Sequence, residues 1–169
     1  MSMFAAAVPT SIQVLEALSA MLGKAAAHCE AHKVDPAVLL GCRLSLDMLP
    51  LRRQVQVASD FPKNLCARLA GVPIPSMPDV ETTFPELHER LAATVAFIGG
   101  FTPGQLDGTE GKEIAFKVAG REMRFTGQGY ALYFMLPNLH FHATTAYAIL
   151  RHNGVELGKK DYMGQIPGT

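Results

Sequence analysis

Four segments of the sequence repeat apolar residues at spacings of three and four, which is the period of a helix with one apolar face. In chain order they cover about residues 11–33, 51–70, 84–98 and 130–153. Amphipathic helices of this length bury their apolar faces most simply against one another. The sequence therefore predicts an all-α four-helix bundle that forms a single domain over residues 1–169.

Proline, glycine and one alternating stretch predict how these helices are connected. Pro62 predicts a kink or a one-turn break in the second helix, and Pro137 either starts the polar part of the last helix or kinks it. Residues 71–84 are the most proline-rich stretch and predict a connector without folded structure. Residues 113–125 alternate around Ala119-Gly120, which predicts a β-hairpin that covers one end of the bundle.

Charge and cysteine content exclude several classes of protein. Lys plus Arg and Asp plus Glu number 15 each, so the chain has no basic footprint for nucleic acid, and Arg52-Arg53 is expected to be solvated surface. We expect no membrane contact, because no apolar run approaches the length of a bilayer span and no basic residue precedes the N-terminal apolar patch.

The three cysteines lack Cys-x-x-Cys spacing, which indicates reduced, mostly buried thiols in a cytoplasmic protein.

The stretch of residues 136–160 carries more side chains capable of chemistry than any other window. On a helix, Asn138 and His142 share one face, while a second row holds His140, Thr144, Tyr147 and Arg151. For Arg151 the simplest role is an ion pair with Asp161 or Glu156 that fastens the tail.

Two polar residues outside this window belong to the same prediction. Gln54 is the polar member of an otherwise apolar stripe, and Asp47 has the most apolar sequence neighbours of any acidic residue. Asp47 either caps the following helix or lies in a pocket, where an unpaired carboxylate would be costly. The predicted ligand pocket consists of Asp47, Gln54, Asn138, His142, Tyr147 and Arg151.

His28 and His32 stand four residues apart near the end of the first helix. That spacing allows two imidazoles to bind one metal ion. The surrounding Glu30, Lys33 and Asp35 instead favour a solvated helix end, where histidine complements the negative end of the helix dipole.

Several motifs together resemble a known bacterial family. LDMLPLRRQV, ARLAG, ETTFPEL and LPNLHFHATTAYAILRHNGVELGKKDY are similar to the family catalogued as domain of unknown function nineteen ninety-three, a branch of the DinB/YfiT-like superfamily. The resemblance spans nearly the whole chain. It implies a four-helix bundle, commonly a homodimer, with a pocket between helices and no known reaction.

The same resemblance implies a degenerate metal site. By this resemblance, metal-binding relatives have a three-histidine site with a His-x-x-x-His pair on the last helix. His142 matches the first histidine of that pair, and Ala146 stands at the position of the second. The third ligand falls near Asp47. The ligands of a divalent zinc or nickel ion would then be His142, Asp47 and, if Pro137 bends the helix, His140.

Two functions remain open on the sequence. One is a non-catalytic or small-ligand-binding homodimer in which the polar residues form a satisfied hydrogen-bond network. The other is a metal-dependent hydrolase or thiol transferase that uses Asp47 and His142 in a pocket between helices. The two differ in whether those side chains open onto a cavity.

Overall fold

The computed structural model describes residues 2–118 and 120–168, and the fold is mostly helical with one two-stranded sheet. The four long helices are α1 (Met3–His32), α3 (Leu51–Ala70), α4 (Phe84–Gly99) and α7 (Leu136–His152). The short helices are α2 (Pro36–Gly41), α5 (Pro103–Leu106), α6 (Gly127–Gly129) and α8 (Lys159–Met163). A π-helical segment, Tyr130–Met135, leads directly into α7.

The long helices share one apolar core. Helix α3 packs against α7, α4 and α1, and α1 also packs against α4 and α7. Apolar side chains from all four, such as Leu18, Leu65, Leu91 and Leu139, are almost completely buried. The helical stripes predicted from the sequence are therefore the faces that meet.

Helix α1 begins eight residues before the predicted start. The Ser2 hydroxyl accepts a hydrogen bond from the amide of Ala5, and the Asp107 carboxylate accepts from the Ser2 hydroxyl and the Phe4 amide. These contacts satisfy free amides at the helix start, so the helix continues through Pro9.

Helix α1 is also the one helix among residues 2–118 and 120–168 that is long and apolar enough to cross a membrane. The prediction that no segment reaches that length is therefore wrong. Half of its apolar window, 50%, is buried inside the protein, as in the core helix of a bundle.

Helix α3 runs through Pro62 without the predicted break. A proline inside a helix removes one hydrogen bond and crowds the preceding turn. Tertiary contacts on either side hold the helix, since Asp60 is paired with Arg90 and the ring of Phe61 packs against Phe134. The helix ends at Gly71, whose φ of 73° is left-handed.

The predicted hairpin is present before the last helices. Strands β1 (Glu113–Val118) and β2 (Arg121–Thr126) pair antiparallel, with Phe116 opposite Met123. Gly120 has a φ of 80°, as a tight turn requires, whereas the Ala119 half of the predicted turn lies outside the described residues. Phe116 and Phe125 pack against Tyr130 and Phe134, so the hairpin covers the π-helical segment.

The connector between α3 and α4 contains no helix or strand, as predicted, and it is held in place by a buried arginine. The Arg90 side chain is 1% exposed. Its guanidinium contacts the carboxylates of Asp60 (3.0 Å), Asp79 (3.1 Å) and Glu81 (3.0 Å), and its Nε donates to the Ser59 hydroxyl (2.8 Å). Asp60 and Ser59 belong to α3, whereas Asp79 and Glu81 belong to the connector. One guanidinium therefore joins three segments.

Further charges extend this network along α3. Lys63 pairs with Asp60 (2.8 Å), Arg53 pairs with Asp79, and Gln56 donates to Glu81 (2.7 Å). Arg53 is thus part of an ion-pair network and not the free surface residue expected from the sequence.

Replacing Arg90 by methionine should lower the free energy of unfolding by about 3 kcal/mol or more, because it leaves the facing carboxylates without their cation. The matched control is Arg124→Met. Arg124 pairs with Glu113 and Glu122, but its side chain is 64% exposed, so we expect a loss below about 1 kcal/mol. Urea unfolding of both variants checks this, and equal small losses would contradict a structural role for Arg90.

Candidate functional site

The structure joins two of the predicted site residues directly across the α3–α7 interface. His142 Nδ1 lies 2.7 Å from Gln54 Oε1, and Gln54 Nε2 donates to the Leu49 carbonyl at 2.9 Å. Because the Gln54 amide nitrogen donates to the Leu49 carbonyl, the Gln54 amide oxygen faces the imidazole and accepts a hydrogen bond from Nδ1–H of His142. The neutral ring then carries its free electron pair on Nε2.

Aromatic rings surround this Gln54–His142 pair. The His142 ring stacks on Phe61 with centroids 5.8 Å apart, and the Phe141 ring meets it edge-on at 5.2 Å. Gln54 is 1% exposed, and His142 is half-buried. Desolvation by burial lowers the pKa of His142 below its usual 6.5, because a charged ring would lose hydration there.

The aromatic cluster continues from Phe61 toward the hairpin. Phe134 lies 5.7 Å from Phe61, and it also contacts Tyr130 and Phe116. The Arg68 guanidinium sits 4.3 Å above the Phe116 ring, a cation–π contact that closes the far end. No signal in the sequence predicted these residues, since they come from three separate elements and share no spacing in the chain.

Asn138 stabilises the helix rather than contacting His142 in the structure. Its side-chain amide donates to the Phe134 carbonyl at 2.7 Å. Pro137 has no amide hydrogen to donate, and the chain adopts the wider π-helical form over Tyr130–Met135 just before it. The side chain of Asn138 thus satisfies a carbonyl within the irregular turn.

The second polar row of α7 contacts the C-terminal helix. The Tyr162 hydroxyl lies 3.1 Å from both His140 Nδ1 and the Thr144 hydroxyl, and the Tyr147 ring packs edge-on against the Tyr162 ring. The tail is therefore docked, with Tyr162 as its contact point on α7.

Asp47 lies at the surface, where it neither caps α3 nor occupies a buried setting. Its carboxylate accepts a hydrogen bond from the Ser45 hydroxyl at 2.7 Å, which is the main cause of its lowered pKa, and the N-cap position of α3 is Pro50. The expectation of burial was wrong because its leucine neighbours are themselves exposed, Leu46 at 94%.

In the described part of the chain Arg151 forms neither of the predicted ion pairs, with Asp161 or with Glu156. The structure pairs Asp161 with Lys24 at 2.6 Å, so this ion pair attaches α8 to α1, in addition to the contacts of Tyr162 with α7. Arg151 is exposed at the end of α7.

The three predicted metal ligands do not converge. Asp47 binds Ser45, His140 binds Tyr162 and His142 binds Gln54, and within residues 2–118 and 120–168 no three His, Cys, Asp or Glu side chains form a group able to hold a metal. The donor set at this position therefore does not fit a metal ion. None of the five principal cavities along the described chain is lined by Gln54 or His142.

Two of the three free cysteines are buried, as predicted. Burial raises the pKa of the Cys66 thiol to about 12 and also raises that of Cys29. A raised pKa keeps both sulfurs protonated and weakly nucleophilic.

The comparisons with known proteins agree with this architecture. The family model described as domain of unknown function, DUF1993, matches residues 3–163. The chain belongs to the DUF1993 family. A DinB family member from Shewanella denitrificans, solved by crystallography, is 40% identical, with a TM-score of 0.87 over 98% of this chain and 94% of that one. No curated protein matches the chain.

The lowered pKa of His142 predicts an acid-sensitive contribution to stability. The unfolded ring takes up a proton as the pH falls below about 6.5, whereas the folded ring resists it, so stability contributed by neutral His142 is present above that pH and lost below it. The difference in free energy of unfolding between wild type and His142→Gln should therefore shrink from about pH 8 to about pH 5. Urea unfolding measures it, and a difference that grows in acid would contradict the prediction.

Proposed function

We propose that this DUF1993 protein is a non-catalytic DinB-like four-helix bundle that acts in the cytosol as a homodimeric, small-ligand-binding domain with a degenerate metal site. The Gln54–His142 hydrogen bond carries the proposal. It occupies the interface between α3 and α7, where the resemblance places a metal ligand, and supplies His142 with a side-chain amide as its partner. A satisfied polar pair in an aromatic setting has a structural role without any reaction.

An exposed apolar face supports the homodimer. Leu44 (44%), Leu46 (94%) and Leu49 (41%) lie in the segment before α3, and Phe141 of α7 is 57% exposed. Leu44 and Phe141 line one cavity of about 400 Å³. Exposed apolar residues gathered in this way are typical of an interaction surface.

The same cavity supports the ligand-binding part of the proposal. Its remaining lining comes from α7, namely His140, Thr144, Thr145 and Ala148. A second copy placed over Leu46 and Phe141 would close the cavity, which then suits a small, mainly apolar molecule with one polar group near His140.

A metal-dependent hydrolase or thiol transferase is the alternative function. It requires Asp47 to move from the surface toward His142, and a zinc or nickel ion to replace the Gln54 contact. Its support is the family resemblance rather than the positions of these side chains.

Elemental mass spectrometry of untagged protein separates the two functions. We expect wild type and His142→Ala to contain the same amount of zinc and nickel, because the other two predicted ligands, Asp47 and His140, contact Ser45 and Tyr162 instead. His142→Ala should also lower the free energy of unfolding by about 1–3 kcal/mol, since it leaves a buried amide oxygen unpaired. Stoichiometric metal in wild type that disappears in His142→Ala would favour the enzyme.

Light scattering after size exclusion tests the homodimer. Wild type should elute as a dimer, and Phe141→Glu as a folded monomer, because a charge would have to be buried at the apolar face. The matched control is Val80→Glu, at a position that is 71% exposed in the connector and should not change the mass. A monomeric wild type would contradict this assembly.

A further inference from the structure

One cavity lies beside the end of α1, and neither Gln54 nor His142 lines it. It has a volume of about 560 Å³ and is lined by two histidines, His28 and His32. Their ring centroids stand 4.1 Å apart, with an angle of 31° between the planes. Both rings thus face one cavity side by side, which the spacing in the sequence permits but does not require.

We propose that His28 and His32 form a binding site for a divalent transition-metal ion such as Cu²⁺, Ni²⁺ or Zn²⁺, with water completing the coordination. Imidazole nitrogen is a preferred ligand of these ions. A metal–nitrogen bond of about 2.0–2.1 Å places two bound nitrogens at most about 4 Å apart. The 4.1 Å separates the ring centroids rather than the nitrogens, and it shows that the two rings are close enough for a nitrogen of each to reach one ion.

The hydrogen bond of His32 prepares its ring for a metal. His32 Nδ1 donates to the His28 carbonyl at 2.9 Å. This bond fixes the neutral tautomer, so the free electron pair is on Nε2 and the ring orientation is held by the backbone. Metal-bound histidines commonly use their other nitrogen in this way. The His28 ring has no hydrogen-bond partner in the described part of the chain, so it is available as the second ligand.

The surrounding charges favour a cation. Glu156, on the loop after α7, lines the same cavity, and the site adjoins the C-terminal end of α1, where the helix dipole is negative. The ammonium of Lys24 is neutralised by Asp161 at 2.6 Å. Gly154 borders the cavity with a φ of 86°, and a Cβ there would stand 3.6 Å from His28 Cε1. The loop thus lies directly against the His28 ring.

The neighbouring cysteine is not a third ligand. Cys29 is 1% exposed and belongs to the buried face of α1. The site is therefore one of two nitrogens, distinct in position and ligands from the site inferred by resemblance.

The test is titration of the full-length, untagged, metal-free chain with Ni²⁺ by calorimetry and with Cu²⁺ by electron paramagnetic resonance. We expect one ion per chain, nitrogen hyperfine structure from two imidazoles, and a melting temperature that rises with Ni²⁺. His28→Ala and His32→Ala should each weaken binding by about tenfold or more, since each removes one of two nitrogen ligands.

His88→Ala is the matched control. His88 is also half-buried on a long helix, but its ring contacts the Ser19 hydroxyl and no other histidine. Binding by His88→Ala and by His142→Ala should equal that of wild type. Affinity unchanged in either site variant, or a spectrum with a single nitrogen, would overturn the proposal. Circular dichroism of each variant confirms that a loss of binding is not a loss of folding.

Discussion

The buried guanidinium of Arg90 fixes how α3, α4 and their connector meet. A charge that is 1% exposed requires compensating charges close by, because its hydration is lost. The carboxylates come from both α3 and the connector, through Asp60, Asp79 and Glu81. The connector therefore has one position. With one face of α3 bound to α4 in this way, its other face presents Gln54 to α7.

Buried polar groups also satisfy one another on the face of α3 that packs against α7, but here the groups are neutral. Gln54 and His142 satisfy each other in an aromatic setting, and Gln54 also satisfies the Leu49 carbonyl. Apolar residues of similar volume would pack there with a smaller desolvation cost. A polar pair, however, tolerates few shifts of one helix along the other, since its hydrogen bond requires one alignment. We infer that it fixes the register of α3 against α7.

Local signals in the sequence predicted local structure, and long-range contacts decided the rest. The stripe of α4 was predicted correctly, as was the alternation of the hairpin, because these patterns repeat within one element. Of the predicted site, Gln54 and His142 do meet. Asp47 was misplaced because apolar neighbours in sequence do not guarantee burial. Arg90 was missed because its three carboxylate partners lie 9 to 30 residues away and follow no period.

The histidines of this protein differ in what lies beside the ring, since Nδ1 donates a hydrogen bond in both His142 and His32. In His142, Nδ1 is bound by a side chain in a half-buried aromatic cluster, and the ring's burial opposes charge. In His32, Nδ1 is bound by a backbone carbonyl of its own helix, and the ring borders an open cavity beside a second imidazole. The rings beside His142 are those of Phe61 and Phe141, whereas the ring beside His32 is that of His28, which can bind the same ligand. The two imidazoles suited to a metal therefore lie at the surface end of α1, and not between α3 and α7.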